Sequence, residues 1–156
     1  GGAANAISTS VAAEGAKKIC INNRSIINAE KLSKKIKKQF PRSTIECGDL
    51  EFKNISKDEF DIVINCTSVG MYPNTEESPI NLDGFSKDLV VYDIIYKPQK
   101  TKFLQLGEDR GYITIGGLSM LINQALSSQQ IWLDNSEENI YKNYDKIKRI
   151  LKTFVE

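Results

Sequence analysis

Hydrophobic positions along the chain change period several times, and each change marks an element. From Ala3 to Glu14 small residues surround Ile7 and Val11 at a helical step, and Gly15 closes the segment as a C-terminal glycine does. Lys18 to Asn22 is a short apolar-centred run that predicts a strand. A helix is predicted from about Ile27 to Phe40, where Ala29, Leu32, Ile36 and Phe40 share one face and Pro41 stops the repeat. Ser43 to Cys47 predicts a weaker strand. Asp61 to Cys66 and Asp88 to Asp93 are near-continuous apolar runs, the pattern of strands covered on both faces.

Between those two runs, Thr67 to Pro79 has glycine, proline and asparagine without periodicity, and predicts a loop. Thr101 to Arg110 then predicts a helix ended by Gly111, Tyr112 to Ile115 a short strand, and Gly116-Gly117 a turn into a long helix reaching Leu133. A last helix is predicted from about Ser136, its N-cap, with Ile140, Tyr144, Ile147, Leu151 and Phe154 at three- and four-residue steps. Strands alternating with helix-sized connections imply an α/β fold of the Rossmann-like, doubly wound kind: a mostly parallel sheet with helices on both faces. Ligands of such sheets bind beyond the carboxyl ends of the strands, so the loops after Asn22, Cys66, Asp93 and Ile115 become the candidate site.

Composition narrows the classes. The 156 residues suit one domain, 1–156, and 40% hydrophobic content supports a packed core. Lysine and arginine total 21 against 20 acidic residues, a formal charge of +1, so neither nucleic acid nor a membrane is expected as a partner. Cys20, Cys47 and Cys66 have no CxxC spacing and the chain has no histidine, so no metal site is expected; the cysteines read as free thiols of a soluble, cytoplasmic protein. No run of about twenty apolar residues predicts a membrane span.

Three constellations carry candidate chemistry. Gly1, Gly2 and Ala3 head a helix, where free N–H groups favour an anion and glycine lets a phosphate approach; a terminal glycine pair is equally a cloning scar. About twenty residues later the first strand ends Asn22-Asn23-Arg24-Ser25. This is where a dinucleotide fold places an acid for a ribose 2′-hydroxyl or an arginine for a 2′-phosphate, and no carboxylate is present. Taken alone, Arg24 reads as a solvated side chain and Ser25 as a helix cap; the spacing to Gly2 favours the cofactor reading. Lys31, Lys34, Lys35, Lys37 and Lys38 read as a solvated face. Third, Asn65-Cys66-Thr67-Ser68-Val69-Gly70-Met71 empties a strand into the ligand edge, where Gly70 supplies a positive φ, Met71 fills core, or the loop shapes a pocket.

Two further stretches, Val91-Tyr92-Asp93-Ile94-Ile95-Tyr96-Lys97-Pro98 and Gly116-Gly117-Leu118-Ser119-Met120-Leu121, complete an ordered set running through nearly the whole chain. With the glycine turn, the Asn-Arg-Ser strand end and the Thr-Ser-x-Gly-Met loop, the sequence resembles the shikimate dehydrogenase family, in its C-terminal NADP-binding domain. The resemblance implies that Gly1, Gly2 and Ala3 are the last three positions of a Gly-Ala-Gly-Gly-Ala turn, with the first Rossmann strand and an N-terminal substrate domain absent. Asn23, Arg24 and Ser25 match the segment on the 2′-phosphate side of NADP. Asn28 stands where many members have a further basic residue, which leaves the preference mainly on Arg24.

By the same resemblance, Thr67 lies near the cofactor, the backbone at Ile94 and Gly117 contacts the nicotinamide end with Met120 packing beside it, and Tyr96 and Gln124 reach the hydroxy-acid substrate, shikimate or 3-dehydroshikimate. Tyr96 as a half-buried aromatic and Gln124 as a plain surface residue are the bland alternatives. Gly116 and Ser119 depart from the common aspartate and glycine. The implied reaction is reversible hydride transfer between NADPH and 3-dehydroshikimate. Its proton transfer belongs to a lysine and an aspartate of the substrate domain, so no catalytic residue is assigned to this chain and no turnover is expected of it alone. Quinate/shikimate dehydrogenation with relaxed cofactor choice, and a non-catalytic dinucleotide-binding interaction domain, are the other readings. Oligomeric state stays open, a homodimer included. Loss of the first strand, central in such a sheet, predicts an interrupted ladder rather than six continuous strands.

Overall fold

A computed structural model describes residues 1–51, 56–133 and 140–155, and the chain folds as two compact units, Gly1–Glu59 and Phe60–Glu156. In the first unit, α1 (Gly2–Ala13) is followed by β1 (Lys18–Asn22), α2 (Ile26–Gln39) and β2 (Thr44–Gly48). β1 and β2 are parallel, paired from Lys18 with Thr44 to Asn22 with Gly48. α2 is the crossover between them, and its Ala29, Ser33 and Ile36 are buried while the lysines face solvent. The Ser33 hydroxyl donates to the Glu46 carbonyl at 3.4 Å, fixing the helix to β2. Lys37 and Lys38 lie in the last turn, where cations oppose the negative end of the helix dipole. Gly15 has φ 89°, the left-handed conformation that suits glycine after α1.

The second unit contains β3 (Ile62–Asn65), β4 (Val90–Asp93), α3 (Lys102–Glu108), β5 (Ile113–Ile115), α4 (Leu118–Leu133) and α5 (Tyr144–Val155). Its three strands are parallel in the order β3-β4-β5, with Ile62, Val90 and Ile113 in one row. α3 packs on β4 and β5. Glycine within a helix costs stability, and Gly107, in the last turn of α3, has a packing reason: a Cβ there would lie 3.1 Å from Thr114 Cγ2 and 3.2 Å from Val91 Cγ2. Phe103, Leu104, Val91, Leu82 and Leu89 are buried, so part of this core comes from the stretch before β4. A separate cluster joins α4 and α5: Leu118, Ile122 and Leu126 are covered by Leu121, Tyr144, Ile147 and Leu151.

The element order follows the hydrophobic pattern closely, and the fold is α/β and Rossmann-like with parallel strands. Among the described residues the strands pair as β1-β2 in the first unit and as β3-β4-β5 in the second. Two expectations need correction. β4 is not buried on both faces: Val91 and Asp93 are buried, while Val90 and Tyr92 alternate with them and are half-buried. In β3 and β5, Ile62 is 42%, Ile113 65% and Ile115 41% exposed. An apolar run reports that a strand prefers burial, not which face is covered; α3 covers the face that carries Val91. The expected Ser136 cap lies outside the described residues.

Candidate functional site

In the first unit, Gly1 caps α1 without a side-chain hydrogen bond, and a Cβ at Gly1 or Gly2 would meet nothing within 4 Å. The space beside both glycines is thus open, and a helix N-terminus offers the unpaired N–H groups that an anion pairs with. At the end of β1, the Asn23 N–H donates to the Gly48 carbonyl at 3.1 Å, and its side-chain Oδ1 accepts from the Ser25 N–H at 2.8 Å. That Asx turn releases the chain into α2, with Ser25 as N-cap at an extended φ of −98°. Arg24 projects from the turn, exposed, and among the described residues its guanidinium has no ion pair or hydrogen bond.

In the second unit the site is built on buried polar groups. The Asn65 Nδ2 donates to Asp93 Oδ1 at 3.1 Å and to the Val69 carbonyl at 3.2 Å. Its Oδ1 accepts from the Thr67 N–H at 3.0 Å and from the Thr67 hydroxyl at 2.7 Å, while Thr67 Oγ1 accepts from the Val69 N–H at 3.1 Å. Asp93 also accepts from the Ile95 N–H at 3.0 Å and from the Thr101 hydroxyl at 2.7 Å. Thr101 caps α3 by accepting from the Leu104 N–H at 3.3 Å. Burial pushes the Asp93 carboxyl above the usual range, and the donors of Ile95, Thr101 and Asn65 pull it part of the way back.

Beyond the carboxyl ends of β3 and β4 lies a cleft of about 450 Å³ lined by Thr67, Ser68, Met71, Tyr72, Ile94, Ile95, Tyr96 and Lys97. Three expected site residues, Thr67, Ile94 and Tyr96, thus meet in one place. Gly117 joins them through the backbone: its N–H donates to the Ile95 carbonyl at 3.1 Å, and a Cβ on it would overlap the Ile94 carbonyl. Met120 and Gln124 lie further along α4 and do not line the cleft. Met71, weighed as core, is 46% exposed and forms part of the cleft wall. Gly70 does supply the positive φ, 93°. Asn65, Asp93 and Thr101 were missed as site residues; the available signal was a polar side chain at the end of two apolar strands and a threonine just before a helix.

No family model matches the chain. It is 42% identical over 156 residues to a shikimate dehydrogenase (NADP(+)) of Alkaliphilus oremlandii, a match covering 98% of this chain and 53% of that protein. Other curated shikimate dehydrogenases align in the same way. The chain is similar to shikimate dehydrogenases over nearly all of its own length. It matches the C-terminal domain and spans about half the length of the curated relatives it matches.

The structural comparison agrees. Shikimate 5-dehydrogenase of Listeria monocytogenes, solved with shikimate and NAD, superposes with a TM-score of 0.83 at 35% identity, over 97% of this chain and 53% of that one. The ligand-free 5-ketofructose reductase of a Gluconobacter strain superposes with a TM-score of 0.73, also at 35% identity, over 86% of this chain and 48% of that one. Among the described residues no three His, Cys, Asp or Glu side chains gather as a metal cluster, and no helix is long and apolar enough to cross a membrane.

Proposed function

We propose that this chain is the NADP-binding half of a shikimate dehydrogenase, and that the whole protein interconverts 3-dehydroshikimate and shikimate. The observation that carries the reading is the cleft beyond β3 and β4. Its walls bring Thr67, Ile94 and Tyr96 together, and the Gly117 backbone packs directly against Ile94 behind them. NADPH, when bound, supplies the hydride.

The chain's residues bind and orient. Arg24, without a partner among the described residues and with no carboxylate among Asn23 and Ser25, suits a 2′-phosphate, and the helix start at Gly1, Gly2 and Ala3 suits the pyrophosphate. Thr67 lies near the cofactor, Ile94, Gly117 and Met120 serve the nicotinamide end, and Tyr96 and Gln124 the hydroxy acid, as a phenol and an amide that can hydrogen-bond ring hydroxyls or a carboxylate. Proton transfer falls to a lysine and an aspartate of a substrate domain, in the part of the relatives that this chain does not match. A second reading, reduction of another polyhydroxylated ketone, is favoured by the 35% identity to the 5-ketofructose reductase.

Calorimetric titration of NADPH and NADH into the full-length protein tests the cofactor. Tighter NADPH binding is expected, and equal or tighter NADH binding overturns the role of Arg24. Following NADPH absorbance with 3-dehydroshikimate and with 5-ketofructose separates the two substrate readings.

A further inference from the structure

We propose that Asn65, Asp93 and Thr101 act together as positioning residues for the cleft, holding the Thr67 loop and the Ile94–Ile95 backbone in the geometry that cofactor binding needs. This rests on the reading of the cleft as the nicotinamide end of an NADP site.

The three side chains are 4%, 0% and 0% exposed, so their polar groups have been removed from water. Among the described residues no buried side-chain N or O atom there is left without a partner. An apolar side chain at the Asp93 position would extend the inward row begun by Val91 without burying a carboxylate. What the carboxylate does instead is gather three donors from three separate segments: Asn65 at the end of β3, Ile95 in the stretch after β4, and Thr101 at the cap of α3. Two of those segments form cleft wall, and the third sets the direction in which the chain leaves it. Gly70 is part of the same fit, since a Cβ on it would stand 3.1 Å from the Glu77 carbonyl oxygen and 3.6 Å from Thr101 Cβ.

The arrangement also revises the part taken by Thr67. Its single hydroxyl proton is committed to Asn65 Oδ1 and one lone pair to the Val69 N–H. Thr67 therefore shapes the cleft and keeps only acceptor capacity for a ligand. Orientation by a fully connected buried network is rigid because losing any one member strands the others.

Thr101→Val and Thr101→Ser in the full-length protein make the test, because valine keeps the shape without the hydroxyl and serine keeps the hydroxyl. With both variants shown folded by circular dichroism at the assay temperature, Thr101→Val is expected to weaken NADPH binding about tenfold and Thr101→Ser to restore it to within about twofold. Amide exchange at Thr67 and Ile95 should quicken in Thr101→Val and not in Thr101→Ser. NADPH affinity in Thr101→Val equal to the parent's overturns the positioning role, even if its melting temperature falls. A parent that binds no NADPH overturns the cofactor reading, and the positioning role with it; quickened exchange in Thr101→Val would then mark a hub of purely structural use.

Discussion

The backbone of Gly117 lies against the carbonyl of Ile94 so closely that no side chain fits between them, and the Gly117 N–H donates to the next carbonyl, that of Ile95, at 3.1 Å. The start of α4 is thereby tied to the segment leaving β4, and this close approach, not backbone conformation, is the reason for glycine. Gly117→Ala is expected to cost about 1–3 kcal/mol of stability through overpacking. It should also weaken NADPH binding, because relief comes from moving Ile94. Thermal unfolding and NADPH titration of the variant check both; unchanged values would mean that the two segments separate freely.

Arg24 is exposed and has no partner among the described residues, so removing it strands no buried partner among them. Arg24→Ala should keep the parent's melting temperature and lose about tenfold to a hundredfold in NADPH affinity, the value of charge-assisted bonds to a phosphate. NADH affinity should stay where it is. Parallel titrations with the two cofactors read the difference.

Burial pushes the Cys20 and Cys66 thiols up to about 11. At pH 8 each then carries roughly a hundredth of the thiolate of an ordinary cysteine. Iodoacetamide should label both about a hundredfold more slowly in the folded chain than in urea, as followed by mass spectrometry of the peptides. Rapid labelling of Cys66 in the folded protein would contradict the raised pKa that its partial burial gives it.

The Asp93 carboxyl is raised in the folded state, with burial as the largest cause. A raised folded value means that its contribution to stability is present below the unfolded pKa and is lost as pH rises through the folded value. The stability advantage of the parent over Asp93→Asn should therefore shrink as pH climbs above the ordinary aspartate range. Urea unfolding of both proteins from acid towards neutral pH measures it, and an advantage that grows with pH would reverse the sign.

The order and type of the elements were legible before any coordinates because they depend on local information. Apolar period distinguishes α2 from β1, and Gly15, Pro41 and Gly111 punctuate the chain where their backbone preferences demand. The carboxyl-edge loops and the acid-free end of β1 were legible for the same reason. The two-sided burial expected of β3 and β4 was not realised, since a run of isoleucine and valine reads the same whether one face or two are covered.

Residue identity and spacing along the chain thus determined which elements form, that the strands run parallel, and that the segments after Asn65 and Asp93 line the cleft. Tertiary structure alone decided that Asn65 meets Asp93 across 28 residues, that Asp93 meets Thr101 across 8, and that Gly117 must yield to Ile94. A buried hydrogen bond or a steric exclusion depends on distances set by strand register and helix packing, and local periodicity contains neither.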